Sequence, residues 1–258
     1  MKHSIDHFSS SGLALPGIRQ IGMDRPLIWL KAGWHDLKAN PLPSLAYGLL
    51  FALGGDLIIL ALLETPHLLT VSISGFFLVA PLLAAGLYEL SRKTEAGEKI
   101  LFIDSLKCFA RNGQSLAFFG LILALVALMW ERFSAVAFAL IGADSGPIAS
   151  AYLNEILFDG QHLAFTATWF VLGGALALLV YAVAVVSVPL MLDRDADVAT
   201  AIMTSLSSFA LNTGPLLLWA ALLVTLTLLG FATLLFGLVV IMPILGHASW
   251  HAYRELVE

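Results

Sequence analysis

Apolar residues in this chain fall into long runs separated by short polar stretches. A helix that crosses a bilayer needs about 20 mostly apolar residues. Leu45–Leu63 meets that requirement with one interruption, Asp56, and Leu68–Leu87 meets it without a charge. Leu116 to about Leu140 is a third such run, with Glu131 and Arg132 toward its far end, and Leu163–Leu192 is a fourth, uncharged and long enough to tilt or to extend past the bilayer. From Val198 to Tyr253 there is no Asp, Glu, Lys or Arg, a stretch too long for one crossing. The segment "LLGFATL" around Gly230 reads as a tight hairpin that divides it into spans near 214–230 and 232–252. The pattern predicts an all-α polytopic membrane bundle with six transmembrane helices.

The polar stretches orient the bundle. Residues 1–26 lack the apolar core of a secretion signal and read as a flexible cytoplasmic tail, leaving 27–258 as the membrane domain. An even number of spans places both termini on one side, and basic residues mark the cytoplasmic side. Twelve of the 13 Lys and Arg residues fall on the side of the termini, and only Arg132 lies toward the other. Both termini are therefore expected on the cytoplasmic side of the membrane. Composition agrees: 59% of the 258 residues are hydrophobic and 12% charged, about half the charge of a soluble domain. The single cysteine, Cys108, excludes an internal disulfide and a multi-thiolate metal site. No basic patch with interleaved aromatics suggests nucleic acid; the lipid bilayer and other membrane subunits are the expected partners.

The chain also repeats itself. "WHDLKANPLPSLAYG", "LKCFARNGQSLAFFG" and "LSSFALNTGPLLLWA" align on Asn40, Asn112 and Asn212. Six residues earlier stand Trp34, Leu106 and Leu206, three earlier Leu37, Phe109 and Phe209, and seven later Tyr47, Phe119 and Trp219. The earlier pair gives an apolar stripe on a short helix, and Asn followed closely by Gly or Pro is a helix stop. Each even span carries a proline near its cytoplasmic end, Pro81, Pro189 or Pro243. The predicted unit is an amphipathic surface helix, an odd span and a kinked even span, repeated over about 27–92, 99–193 and 195–254. Each proline is expected to free the carbonyl four residues earlier, at Phe77, Val185 and Val239.

Candidate chemistry is sparse. Asp56 is the one acid well inside a span, where a charge costs roughly 2.5–3.5 kcal/mol on insertion scales. Helical rise places it about 16 Å above the cytoplasmic end, level with Tyr181, and Tyr181 or Arg132 is the expected partner. This set is a candidate proton or cation site, or a structural acid beside the packing pair Gly54-Gly55. Gly173-Gly174 reads as helix packing. His247 and His251 lie one helical turn apart and share a face, a spacing that suits a metal, with His35, Asp36 and Glu89 at the same membrane surface as further ligands. Haem is a further option for such a pair. Against both, "GHASWHAYREL" has the aromatic composition of a helix leaving the membrane. No cofactor is predicted on balance.

The segments "WLKAGWHDLKANPLPSLAYGLLFALGG", "GFFLVAPLLAAGLYELSR", "VVSVPLMLDRDADVATAIMTS" and "LGHASWHAYRELV" resemble the bacterial integral membrane family called domain of unknown function 2189, over about residues 27–257. That resemblance implies no established activity. Some members carry a cytochrome c oxidase subunit label, which implies an association with respiration. The chain lacks the intramembrane histidines of an oxidase catalytic subunit, so the expected role is a non-catalytic accessory or assembly component. The alternatives are a small-solute or ion transporter using Asp56 and the kinked spans, and a metal- or haem-binding protein centred on His247 and His251. The three two-span units are also similar in architecture to mitochondrial carriers, but the residues after the three prolines share no charged pattern.

Overall fold

A computed structural model describes residues 15–64, 83–141 and 163–258 of the chain. The second predicted span over most of its length, Phe77, Pro81 and the far-side loop at 143–162 lie outside the described residues. Helices α1 (Arg25–Ala39) and α2 (Pro41–Glu64) are followed by α3 over 83–95 and the single turn α4 (Phe102–Ser105). A 3-10 turn, Leu106–Cys108, then leads into α5 (Phe109–Ile141). The remainder comprises α6 (Leu163–Ala184), α7 (Ser187–Arg194), α8 (Val198–Leu211), α9 (Thr213–Ala232) and α10 (Leu238–Leu256). Among the described residues the only strand-like pairing is an isolated bridge between Ile18 and Val257.

Among the described residues, four stretches are long and apolar enough to cross a membrane: Pro41–Ile58, Phe102–Ser134, Leu163–Arg194 and Thr213–Ala232. Helix α10 returns alongside them but carries His247, Ser249, His251, Arg254 and Glu255 in its second half, which lowers its hydropathy. At the far ends of α5 and α6, Trp130 stacks near Trp169 with ring centroids 5.7 Å apart, and Trp169 Nε1 donates to Ser134 Oγ at 2.9 Å. Such an aromatic belt is the composition of a membrane boundary.

The packed core sits at the opposite end, which we call the base. Its centre is Trp29, Trp219, Trp250 and Tyr253, all within 1% of complete burial, with Leu190, Met191 and Leu192 of α7 packed into the same cluster. Trp29 meets Trp219 edge to face at 5.7 Å, and its Nε1 donates to Glu255 Oε2 at 2.6 Å. Toward the far side the helices expose large apolar residues, among them Leu57, Val136, Val171 and Leu228. This is the surface expected of helices solvated by lipid.

Three junctions build the base in one way. Asn40, Asn112 and Asn212 have φ/ψ of −132/66, −139/42 and −127/37, each between a base helix and a long apolar helix. In that conformation the chain leaves the helix after one residue and re-enters another. The amide of each asparagine fastens a neighbouring segment. Asn40 Nδ2 donates to Thr94 Oγ1 at 2.7 Å, Asn112 Nδ2 to the carbonyls of Met191 and Ala196, and Asn212 Nδ2 to the Arg19 carbonyl. Tyr47, Phe119 and Trp219, seven residues on, are all fully buried.

Part of the segment read as a tail is tied down. Ile21 N donates to Asn212 Oδ1, Arg19 N to the Leu256 carbonyl and Glu258 N to the Gly17 carbonyl, each at 2.9 Å. Residues 17–21 therefore run along the end of α10.

Candidate functional site

Among the described residues a dense polar cluster lies where α1, α2, α3 and α10 meet at the base. Glycine makes the meeting close. A Cβ at Gly33 of α1 would stand 2.4 Å from the Ile244 carbonyl oxygen of α10, and one at Gly48 of α2 would stand 1.9 Å from that of Val239. The Val239 carbonyl is the one that Pro243 deprives of its helical donor. It is directed at the bare Cα of Gly48, an approach that allows a weak Cα–H···O contact.

Within this junction His247 is fully buried, and so are Ser44 and Ser91, with Asp36 4% exposed. Ser91 Oγ donates to Asp36 Oδ2 at 2.7 Å and lies 2.7 Å from His247 Nδ1. A hydroxyl has one proton to give, so the second contact is Nδ1–H donating to Ser91 Oγ. His247 Nε2 lies 2.9 Å from Ser44 Oγ, which also reaches the Asn40 carbonyl at 2.7 Å. His251 Nε2 meets Asp36 Oδ2 at 2.9 Å, and its Nδ1 lies 3.5 Å from Glu95 Oε1. Glu95 in turn pairs with Arg254, and Arg254 with Asp193, which also accepts from the Tyr253 hydroxyl at 2.7 Å. The polar chain thus runs from the buried α1–α2 junction to the surface. Burial alone would raise the Asp36 carboxyl, but hydrogen bonds from His251 and Ser91 and the charge of both histidines outweigh it and hold the group below the usual carboxylate range. Beside the cluster, burial of Glu89 is likewise outweighed by Arg92, which bonds it at 2.8 Å, and by Arg111, so that carboxyl is also lowered.

His247, His251 and Asp36 thus converge, with His251 bonded to Asp36 directly and His247 linked to it through Ser91. The His35 side chain is 81% exposed and only skirts Asp36, at 3.9 Å. Glu89 is engaged by the two arginines. Among the described residues no group of three or more His, Cys, Asp or Glu is placed to hold a metal ion. Sequence reasoning missed Ser44, Ser91 and Glu95; a hydroxyl one turn past a helix-stop asparagine, and another beside the acid of "YELSRK", were the available signals.

The structure separates the second candidate set. Tyr181 donates its hydroxyl to the Leu216 carbonyl at 2.9 Å, near the start of α9. Asp56 follows Gly55, which packs against Leu235, just beyond the opposite end of α9. The two are therefore not level. The equal-depth expectation counted helical rise from Leu192, but the membrane helix breaks at Val185–Val186 and α7 belongs to the base. Arg132 pairs with Glu131 at 3.1 Å. At the break itself Ser205 of α8 accepts from Val186 N and donates to the Ala182 carbonyl, so backbone groups freed there find partners. Of the packing pair in α6, a Cβ at Gly173 would meet Trp130, whereas Gly174 has open space.

An all-helical bundle with lipid-facing apolar surfaces and a polar clasp at one end defines an integral membrane protein. Residues 68–193 match the family described as predicted integral membrane protein (DUF2189), so the resemblance drawn from the sequence holds over that stretch. No curated protein and no solved structure matches the chain.

Proposed function

We propose that this protein is a non-catalytic component of a membrane assembly in a bacterial inner membrane, with an accessory or assembly role. One observation carries the reading: all four ring nitrogens of His247 and His251, the pair that would have anchored a metal or haem, face partners within the chain. The cluster joins α1, α2, α3 and α10 at the base, as a scaffold requires. In the same reading the chain makes six crossings as three two-span units. The shared conformation and fastening role of Asn40, Asn112 and Asn212 support that repeat. The distribution of Lys and Arg supports cytoplasmic termini.

The test is a pull-down of tagged protein from native membranes in gentle detergent, with mass spectrometry of what accompanies it. Other membrane subunits at near-stoichiometric yield are expected, and respiratory subunits among them would give the assembly its identity. Recovery of the chain alone, at full yield and correctly folded, would overturn the proposal.

A further inference from the structure

A cleft of about 590 Å³ opens between α2 and the turn that joins α9 to α10. That volume lies within the range of about 300–1,000 Å³ typical of small-molecule sites. Phe51, Phe231, Leu234, Leu238 and Met242 supply an apolar wall, and Asp56 is the one charged residue among those that line it. Among the described residues no hydrogen bond or ion pair engages the Asp56 carboxylate, and Tyr181 and Arg132 are committed elsewhere. Asp56 is exposed at the cleft, and a carboxylate facing lipid beside an apolar wall is favoured by an accompanying cation. The wall beside it is held in an unusual backbone: Leu234 and Leu235 have φ of 52° and 67°, the left-handed region that leucine rarely enters. Such strain persists only where the surroundings impose it. Here Leu235, 4% exposed, is clamped against Ala52 and Leu238, while Leu234 is 81% exposed at the cleft's rim.

We propose that this cleft binds a lipophilic monocation, a hydrophobic amine or its onium analogue, with its charge on Asp56 and its apolar body between the two phenylalanines. The site lies beside the turn that ends α9, where an amphiphile in the membrane places its charged end near the boundary and its body inward. Pairing with the Asp56 carboxylate favours an onium centre over a neutral body of equal size. The carboxylate excludes anionic amphiphiles from the same cleft, and the absence of further polar lining disfavours small, strongly hydrated cations. The inference does not depend on the accessory role proposed above.

The experiment uses the full chain in lipid nanodiscs, with tetraphenylphosphonium as the probe. Equilibrium dialysis is read against empty nanodiscs, with triphenylphosphine oxide as neutral comparator and tetraethylammonium as hydrophilic cation. Saturable one-to-one binding of the phosphonium is expected, weakened at least tenfold by Asp56→Asn, with weaker binding of both comparators. Met242→Trp, which fills the cleft and keeps the acid, should abolish binding as well. It provides the decisive reading if Asp56→Asn fails to fold. No saturable binding, or binding that survives substitution at Asp56 or Met242, would overturn the proposal. A stable dimer in native mass spectrometry that excludes the probe would also overturn it, by making the cleft a seam between two copies.

Discussion

Replacing Gly48 by alanine tests whether the clasp depends on the close approach of α2 and α10. The added methyl carbon would lie 1.9 Å from the Val239 carbonyl oxygen, 2.6 Å from its carbon and 2.9 Å from its Cα. Ordinary contact begins at 3.4 Å, so the helices must part by about 1.5 Å at this point, and all three atoms are backbone, with no rotamer to yield. Overpacking of this kind costs about 1–3 kcal/mol, against which alanine's better helix propensity returns roughly 0.5–1 kcal/mol. The parting also reaches the 2.9 Å contact between Ser44, one turn before Gly48, and His247. An imidazole nitrogen stranded in that buried position adds about 1–3 kcal/mol. The net loss is on the order of 3 kcal/mol, or roughly 6–12 °C in melting temperature for a chain of this size. Thermal unfolding in mild detergent is the assay, with Gly174→Ala as the control because nothing lies within 4 Å of its would-be Cβ. The control should be neutral or slightly stabilised. A Gly48→Ala protein that melts at or above the native temperature would refute the argument.

Other perturbations probe the same base. Ser91→Ala removes a donor from Asp36 and strands His247 Nδ1, and should lower stability by about 2–4 kcal/mol in detergent unfolding; Ser249→Ala, whose hydroxyl bonds only the Leu245 carbonyl of its own helix, should leave it nearly unchanged. His251→Ala should still insert and accumulate, because Ser91 continues to serve Asp36; loss of the protein from membrane fractions would contradict that expectation. Both Asp36 and Glu89 have lowered carboxyl pKa values, so their contribution is fully present above the ordinary range near 3.8 and 4.5 and is lost as pH falls through the folded values. Melting temperature should therefore fall as pH drops below about 4, with a shallower drop in Asp36→Asn; an unchanged acid limb in that variant would count against the assignment. Cysteines introduced at Lys31 and His67 should label from opposite sides of the membrane if the six-span topology holds.

The long apolar helices and their hairpin were legible because period and charge alone mark a helix in lipid. The junction asparagines were legible too, since a helix stop needs only local chemistry. The base was not. "SVPLML" is as apolar as the span before it, so nothing local distinguishes a base helix from the last turns of a membrane helix. Only the break at Val185–Val186, patched by Ser205 from another helix, separates them, and that contact is tertiary. The same limit misplaced Tyr181 relative to Asp56. At the site, the histidine pair was visible through its spacing. The serines that commit those rings to hydrogen bonds come from two other helices, and no spacing rule reports them.

The clasp also sets an order of events during synthesis. Ser44 and His247 are 203 residues apart, so α1 and α2 enter the membrane long before their partner helix is made. Until then Gly33 and Gly48 present bare grooves, Asp36 lacks His251, and Ser44 lacks His247. Contacts of such sequence separation form slowly and leave intermediates exposed. A chain that ends before α10 leaves the grooves at Gly33 and Gly48 unfilled. Arrival of α10 is thus the step that closes the clasp.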